Sequence, residues 1–173
     1  MLLIYDPFMA QASFDITSTV DLQEVDNAVN QARKEIAQRY DFKGSTASID
    51  FNKAESTLTL AAEDQMKMTA LWDVLQTRMV RRNVPVKNLK LGEIETASGS
   101  SVRRVVTLQQ GIPSDAARDI IKFLKDQKLK KVQASIQGDQ LRISSASKDE
   151  LQDVIRLLRG HDFGIALQFG NYR

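Results

Sequence analysis

Apolar and polar residues alternate at the start of the chain and then recur at helical spacing. Phe14 and Ile16 alternate with Asp15 and Thr17, and a period of two predicts a half-buried strand over residues 13–18. A single apolar stripe at spacings of three and four follows: Leu22, Val25, Val29, Ala32, Ile36 and Tyr40. This stripe predicts a helix that lies on a sheet.

A hairpin and a second helix complete the first half of the pattern. Residues 46–51 and 57–62 alternate again around a polar turn, which predicts two paired strands. The next stripe predicts a helix over about 64–82, with this buried face: Met68, Leu71, Trp72, Leu75 and Met79. Residues 83–101 contain Pro85, Gly92, Gly99 and the run SGSS, which are turn and linker signals.

The same order of elements then restarts. Residues 102–108 read as a strand, and a helix opens after Pro113, since proline suits a first helical turn. Gly138-Asp139 predicts a tight hairpin turn. Ser147 and Glu150 form a capping box before a fourth helix. A short strand near residues 167–169 ends the pattern.

Strand, helix, hairpin, helix and strand thus occur twice, which predicts an α+β protein of two tandem ferredoxin-like domains. Each domain is expected to be an antiparallel sheet with its helices on one face. We assign residues 1–12 to an N-terminal extension, 13–92 to the first domain and 93–173 to the second. The first strand has two alternatives, because it can pair within its own half or join the other sheet.

Composition narrows the class of protein. The chain is 42% apolar and 27% charged and contains no cysteine, so it can bury a core and has no thiolate chemistry. Residues 1–12 lack the basic start of a signal peptide, and no run of about 18 apolar residues exists. We therefore expect a cytoplasmic protein that does not contact a membrane.

Basic residues are concentrated in the second half, which holds 13 basic and 10 acidic residues against 11 and 12 in residues 1–90. Lys128, Lys130 and Lys131 lie in the densest window, before a predicted strand. On that strand and its partner, Gln133 and Arg142 occupy positions that face away from the helices. Arginine offers a planar fork of donors for phosphate, so these five residues are candidate phosphate contacts; an ordinary solvated sheet face is the alternative.

The segment RYDFKGS, residues 39–45, is a second candidate. Arg39 and Lys43 can neutralise phosphate, and Phe42 can stack on a base. Alternatively, Phe42 and Tyr40 are core residues that close the end of the first helix. The aromatic signature of sequence-specific RNA-binding sheets is missing from both halves.

Catalysis is not predicted. The chain has no phosphate-binding loop of the G-x-x-x-x-G-K-[ST] type, no G-x-G-x-x-G after a strand and no H-E-x-x-H. Its one histidine, His161, has no nucleophile near it in sequence. We expect no catalytic residue, no metal site and no cofactor.

Several blocks together resemble the YajQ family of small bacterial nucleotide-binding proteins. They are SFDITS (13–18), VDLQEVDNAV (20–29), RYDFKGS (39–45), VQASIQGDQLRIS (132–144) and LQFGNYR (167–173). The resemblance covers residues 13–173, whereas residues 1–12 depart from it. It implies two tandem RNP-like domains that exchange their N-terminal strands, and binding of ATP, GTP, tRNA or cyclic di-GMP without enzymatic activity.

The leading hypothesis is a non-enzymatic protein that binds nucleotides such as ATP or GTP, RNA such as tRNA, or both. The alternative is a regulatory adaptor that responds to cyclic di-GMP and acts through a protein partner. A phosphate-processing enzyme rests on fold analogy alone.

Overall fold

The computed structural model describes residues 11–129 and 131–173 and contains nine strands and four helices over these ranges. The strands are β1 Ala12–Thr17, β2 Ser48–Asn52, β3 Thr57–Ala62, β4 Leu89–Leu91, β5 Glu95–Thr96, β6 Val102–Leu108, β7 Val132–Gln137, β8 Gln140–Ser145 and β9 Gln168–Gly170. The helices are α1 Leu22–Gln38, α2 Gln65–Arg81, α3 Ser114–Asp126 and α4 Lys148–Arg159. Among these residues, none of the helices is long and apolar enough to cross a membrane.

The chain divides into two compact units. The central unit comprises Val20–Gln110, and the terminal unit comprises Gly111–Arg173 with the described residues up to Thr19. Each unit has an antiparallel sheet, in the order β2-β3-β6-β4 in the central unit and β7-β8-β1-β9 in the terminal unit, with β5 pairing β6. The predicted α+β class with two tandem ferredoxin-like domains is confirmed.

The first and sixth strands exchange places between the two halves of the sequence. β1 pairs with β8 and β9, so the alternative in which the first strand joins the other sheet is the observed one. β6, which the sequence analysis assigned to the second half, pairs with β3 over Val102–Thr107. Its alternating side chains Val102, Val106 and Leu108 are buried in the central core. Position along the chain therefore does not determine the sheet to which β1 and β6 belong; their long-range strand pairing does.

Local signals start two of the helices as expected. The Asp21 carboxylate caps α1 by accepting from the backbone N–H groups of Gln23 and Glu24, and the Ser147 hydroxyl caps α4 by accepting from Glu150 N–H. The predicted stripe of α1 is wrong at one position: Tyr40 is 90% exposed. Helix α1 ends at Gln38, and a single 3-10 turn over Tyr40–Phe42 rotates that ring out of the stripe.

Each unit has its own apolar core. In the central unit α1 and α2 bury Val25, Val29, Leu71 and Leu75 against Leu58 and Leu60 of β3. In the terminal unit α3 and α4 bury Ile120, Val154 and Leu158 against Phe14, Ile16, Leu141 and Ile143. The alternate positions of β1, β7 and β8 form a polar sheet face that the helices do not cover. This arrangement leaves Gln133 and Arg142 on the side that the sequence predicted.

Candidate functional site

The candidate residues lie in different units. Arg39, Phe42 and Lys43 belong to the central unit, and Lys128, Lys131, Gln133 and Arg142 belong to the terminal unit. Lys130 lies outside the described residues.

The RYDFKGS segment folds as a turn in which Arg39 and Asp41 form an ion pair. Arg39 donates from Nε and Nη2 to the two carboxylate oxygens of Asp41, at 2.9 and 2.7 Å. These bonds hold the pKa of the Asp41 carboxyl below its ordinary value. The Arg39 charge is thus paired within the segment, while the Lys43 side chain is exposed and has no acidic partner within the described part of the chain.

Phe42 belongs to the core of the central unit. Its side chain is 5% exposed, and the Arg39 guanidinium and Lys67 ammonium lie 5.4 and 5.1 Å from its ring centroid. Of the two alternatives for Phe42, the structure shows the core residue. No open ring face is left here for a base to stack on.

Glu63 anchors the end of the same segment. Its carboxylate accepts from the Ser45 hydroxyl at 2.8 Å, and from the Thr46 backbone N–H and hydroxyl at 2.9 and 3.1 Å. Burial raises the pKa of Glu63, but the bonds from Ser45 and Thr46 outweigh it and hold the pKa below its usual value. The sequence offered no signal for this contact, because it depends on how the segment meets the end of β3.

The polar sheet face of the terminal unit is ordered by strand register. Arg142 of β8 lies opposite Asp15 of β1 on one side and Ser135 of β7 on the other. Gln133 lies opposite Ser144, which in turn faces Ser13. Gln133 is exposed, and the Arg142 side chain is 40% exposed. The face therefore combines amide, hydroxyl and guanidinium donors on neighbouring strands.

Asp15 is a buried carboxylate at the centre of this face. Its side chain is 4% exposed and accepts from Arg142 Nε at 3.1 Å and from Arg173 Nη2 at 3.4 Å, one on each oxygen. Asn171 donates a third bond at 3.0 Å. Burial raises the pKa of Asp15, but its bonds to Arg142 and Asn171 and the nearby positive charges outweigh that effect and lower it.

The Asp15 cluster is defined as Asp15, Arg142, Asn171 and Arg173, and its side chains carry one net positive charge at neutral pH. Its terminal arginine nitrogens remain partly open, because Arg142 uses only Nε on Asp15. Sequence reasoning found Arg142 but missed its partner Asp15, and also Asn171, which donates to the same carboxylate. The alternation marked Asp15 as outward, yet only the register of β1 against β8 brings it to an arginine 127 positions away.

Lys128 and Lys131 lie between α3 and β7. Both side chains are exposed, and neither forms an ion pair with an acidic group among residues 11–129 and 131–173. Lys128 has a positive φ of 56° at the end of α3. The two lysines are therefore free to meet an anionic ligand without first breaking a salt bridge.

Within the part of the chain that the structure describes, no group of three or more histidine or acidic residues is arranged to hold a metal ion.

Comparisons with known proteins agree with the sequence motifs. The family described as "Nucleotide-binding protein YajQ-like" matches residues 12–173. A "Nucleotide-binding protein" of Geotalea uraniireducens is 51% identical over 161 residues, covering 93% of this chain and 98% of that protein. Proteins with the same description from Koribacter versatilis and Elusimicrobium minutum are 50% and 47% identical over 165 residues, covering 95% of this chain and 99% and 100% of theirs. The resemblance found in the sequence motifs is confirmed.

Proposed function

The chain belongs to the family of YajQ-like nucleotide-binding proteins, and on that premise we propose that it binds a nucleotide without converting it chemically. The family match along nearly the whole chain carries this proposal. The polar sheet face of the terminal unit supports it, because that face offers donors suited to phosphate and sugar oxygens. We take the protein to act in the cytoplasm.

Phosphate recognition is assigned to the terminal unit. Arg142 presents the remaining N–H groups of its fork, and Gln133 presents an amide two strand positions from Ser135, which faces Arg142. Lys128 and Lys131 add mobile point charges, with Lys130 beside them in sequence. Charge-assisted bonds of this kind are about twice as strong as neutral ones. ATP and GTP are the first ligands to test.

RNA such as tRNA is the larger ligand in the same proposal. A polyanion reaches more cations than a mononucleotide does, and the exposed Lys43 and the paired Arg39 of the central unit are then further phosphate contacts. Phe42 keeps its place in the core in this arrangement. Binding that depends on phosphate contacts falls steeply with salt, because each contact releases counterions.

A cyclic di-GMP-responsive adaptor is the second candidate function. One observation favours it: Arg142 and Arg173 are held on opposite oxygens of a single carboxylate, so two guanidinium groups are available for a ligand with two phosphates. Binding would then change the contacts of this chain with a regulatory protein partner.

A ligand panel tests the proposal. Calorimetry at low salt with ATP, GTP and cyclic di-GMP, and filter binding with tRNA, are expected to show saturable binding of at least one ligand without sustained phosphate release. Arg142→Gln should weaken that binding roughly tenfold, as expected for a lost charge-assisted bond. Arg156→Gln is the matched control, because Arg156 is 77% exposed on α4 and pairs with Asp153 instead.

The panel also separates the alternatives. A unique preference for cyclic di-GMP supports the adaptor, and preference for tRNA with a steep salt dependence supports the RNA ligand. Failure of all four ligands to bind at low salt would overturn nucleotide binding. Continuous release of phosphate from ATP or GTP by the pure protein would overturn the non-enzymatic assignment.

A further inference from the structure

A cleft of about 320 Å³ opens in the terminal unit between α4 and the start of β1. This volume lies at the lower end of the range for small-ligand pockets. Phe14, Leu151 and Ile155 give the cleft an apolar lining, and Lys148, Gln152 and Arg173 contribute polar groups. The cleft thus combines an apolar interior with cations, a combination that neither the alternation of strands nor the charge windows of the sequence revealed.

Tyr172 supplies an aromatic wall to this cleft. Its side chain is 61% exposed, although its ring lies 6.2 Å from the ring of Phe14, between centroids, at an interplanar angle of 40°. The ring is therefore supported on one side and open on another. Exposed aromatic rings of this kind accept the face of a nucleobase, because every base has a π-face.

Arg173 is held in place beside the cleft. Its backbone N–H and carbonyl pair with Ser13 at 2.9 and 3.0 Å, and its guanidinium bonds the Ser13 hydroxyl and the Asp15 carboxylate, each at 3.4 Å. Since a guanidinium has five N–H donors, donors remain for an anion. Lys148, at the first residue of α4, is exposed and brings a second cation to the same cleft.

A cleft of similar size in the central unit lacks these features. It measures about 420 Å³ and lies beside Arg33, Phe42 and β2. Arg33 donates from Nε and Nη2 to the Ile49 carbonyl oxygen, and the Phe42 ring is buried. Its arginine is thus committed to the backbone of β2, and its aromatic ring is closed to a ligand.

We propose that the terminal-unit cleft is the base-binding subsite for a nucleoside phosphate, with the base stacked on Tyr172 and the phosphates beside Arg173 and Lys148. This inference rests on the proposed nucleotide-binding function and gives it a location. Arg173 lines the cleft, whereas its guanidinium bonds Ser13 and Asp15 on the face of β1 that α4 does not cover. The phosphates then reach this guanidinium around the edge of the sheet beside Arg173. Both halves of the ligand, the base and the phosphate, contribute to the affinity, and the base alone binds more weakly.

The experiment measures calorimetric affinities of the full chain for GTP and ATP. Tyr172→Ala is expected to weaken binding roughly 5- to 100-fold, which corresponds to the loss of one base–aromatic stack. Tyr172→Phe should bind like the wild type, because it keeps the ring. Arg173→Gln should weaken GTP binding roughly tenfold and leave binding of guanosine, which has no phosphate, unchanged.

Matched controls and a blocking variant complete the design. Tyr40→Ala removes a tyrosine that is 90% exposed in the central unit, and Arg156→Gln removes an exposed arginine of α4; neither should change affinity. Gln152→Trp fills the cleft from an exposed position and should abolish binding while leaving the Tyr172 ring and the fold intact.

The outcomes are distinguishable from those of the proposed function. If the wild type binds nucleotide but Tyr172→Ala and Gln152→Trp bind as tightly, the cleft is not the subsite, and nucleotide binding stands. If Tyr40→Ala weakens binding as much as Tyr172→Ala, the subsite is likewise overturned. If the wild type binds neither GTP nor ATP, the subsite is overturned, and if it also binds neither cyclic di-GMP nor tRNA, the proposed function fails as well.

Discussion

Both units contain an aspartate–arginine pair near candidate phosphate contacts, and the two pairs differ in burial and in charge. Asp41 of the central unit is 47% exposed and meets one arginine, Arg39. Asp15 of the terminal unit is 4% exposed and meets two, Arg142 and Arg173. The first pair is neutral and open to water, whereas the second leaves one net positive charge around a dry carboxylate.

This difference shows what an acidic residue can do at an anion-binding surface. An exposed aspartate competes with the ligand for its arginine and gains little from the pairing, because water and salt screen it. A buried aspartate such as Asp15 lies beneath its arginines and orients them, since its own oxygens have little access to water. The Asp15 cluster therefore holds its two arginines so that they can contact an anion, whereas in the Arg39–Asp41 pair the aspartate neutralises the arginine charge.

The largest expected effect comes from removing the buried charge. Asp15→Asn should lower the free energy of unfolding by about 2–3 kcal/mol, because charge-assisted bonds to two arginines are lost at a buried position. Asp41→Asn is the matched substitution and should leave stability unchanged. Urea denaturation at pH 7, followed by circular dichroism, measures both. Equal losses in the two variants would show that burial does not distinguish the pairs.

The pH dependence of stability sharpens the same contrast. The pKa of Asp15 is lowered in the folded protein, so its stabilising contribution is fully present above the unfolded value of about 3.9. That contribution is lost as the pH falls through the lower folded-state pKa, because the unfolded chain then binds the proton more readily. Denaturation between pH 7 and pH 2 should show wild type and Asp15→Asn converging at the acid end. A constant gap across this range would contradict the assignment.

Local patterns predicted the elements because each depends on neighbours in sequence. The alternation around Phe14, the capping residue Ser147 and the turn at Gly138-Asp139 act within a few positions, and β1, α4 and the β7–β8 hairpin follow from them. Strand exchange could not be read in this way. β1 and β6 carry similar alternation, and only long-range pairing decides that β1 joins β8 while β6 joins β3.

The same distinction between local patterns and long-range contacts decides which features of the candidate sites were predictable. Arg142 was predictable because alternation alone places it away from the helices. Its bond to Asp15 was not, and neither was the bond from Asn171 to the same carboxylate, since Asp15 lies in β1 and Asn171 follows β9, far away in sequence. Phe42 comes shortly after the end of α1, and from its spacing alone the ring could be either buried or exposed. In the structure the 3-10 turn over Tyr40–Phe42 buries Phe42 and exposes Tyr40.

The smallest expected effect is on RNA binding by the central unit. Asp41→Asn removes the carboxylate that neutralises Arg39 and should strengthen tRNA binding modestly. The slope of log affinity against log salt should steepen by at most about one, the contribution of one further phosphate contact. Filter binding across a salt series provides the measurement. The Asp153→Asn variant is the control, because it frees Arg156, an exposed arginine outside the proposed contacts. An equal gain in both variants would mean that the added charge acts through the net charge of the protein, and that the RYDFKGS segment does not contact RNA.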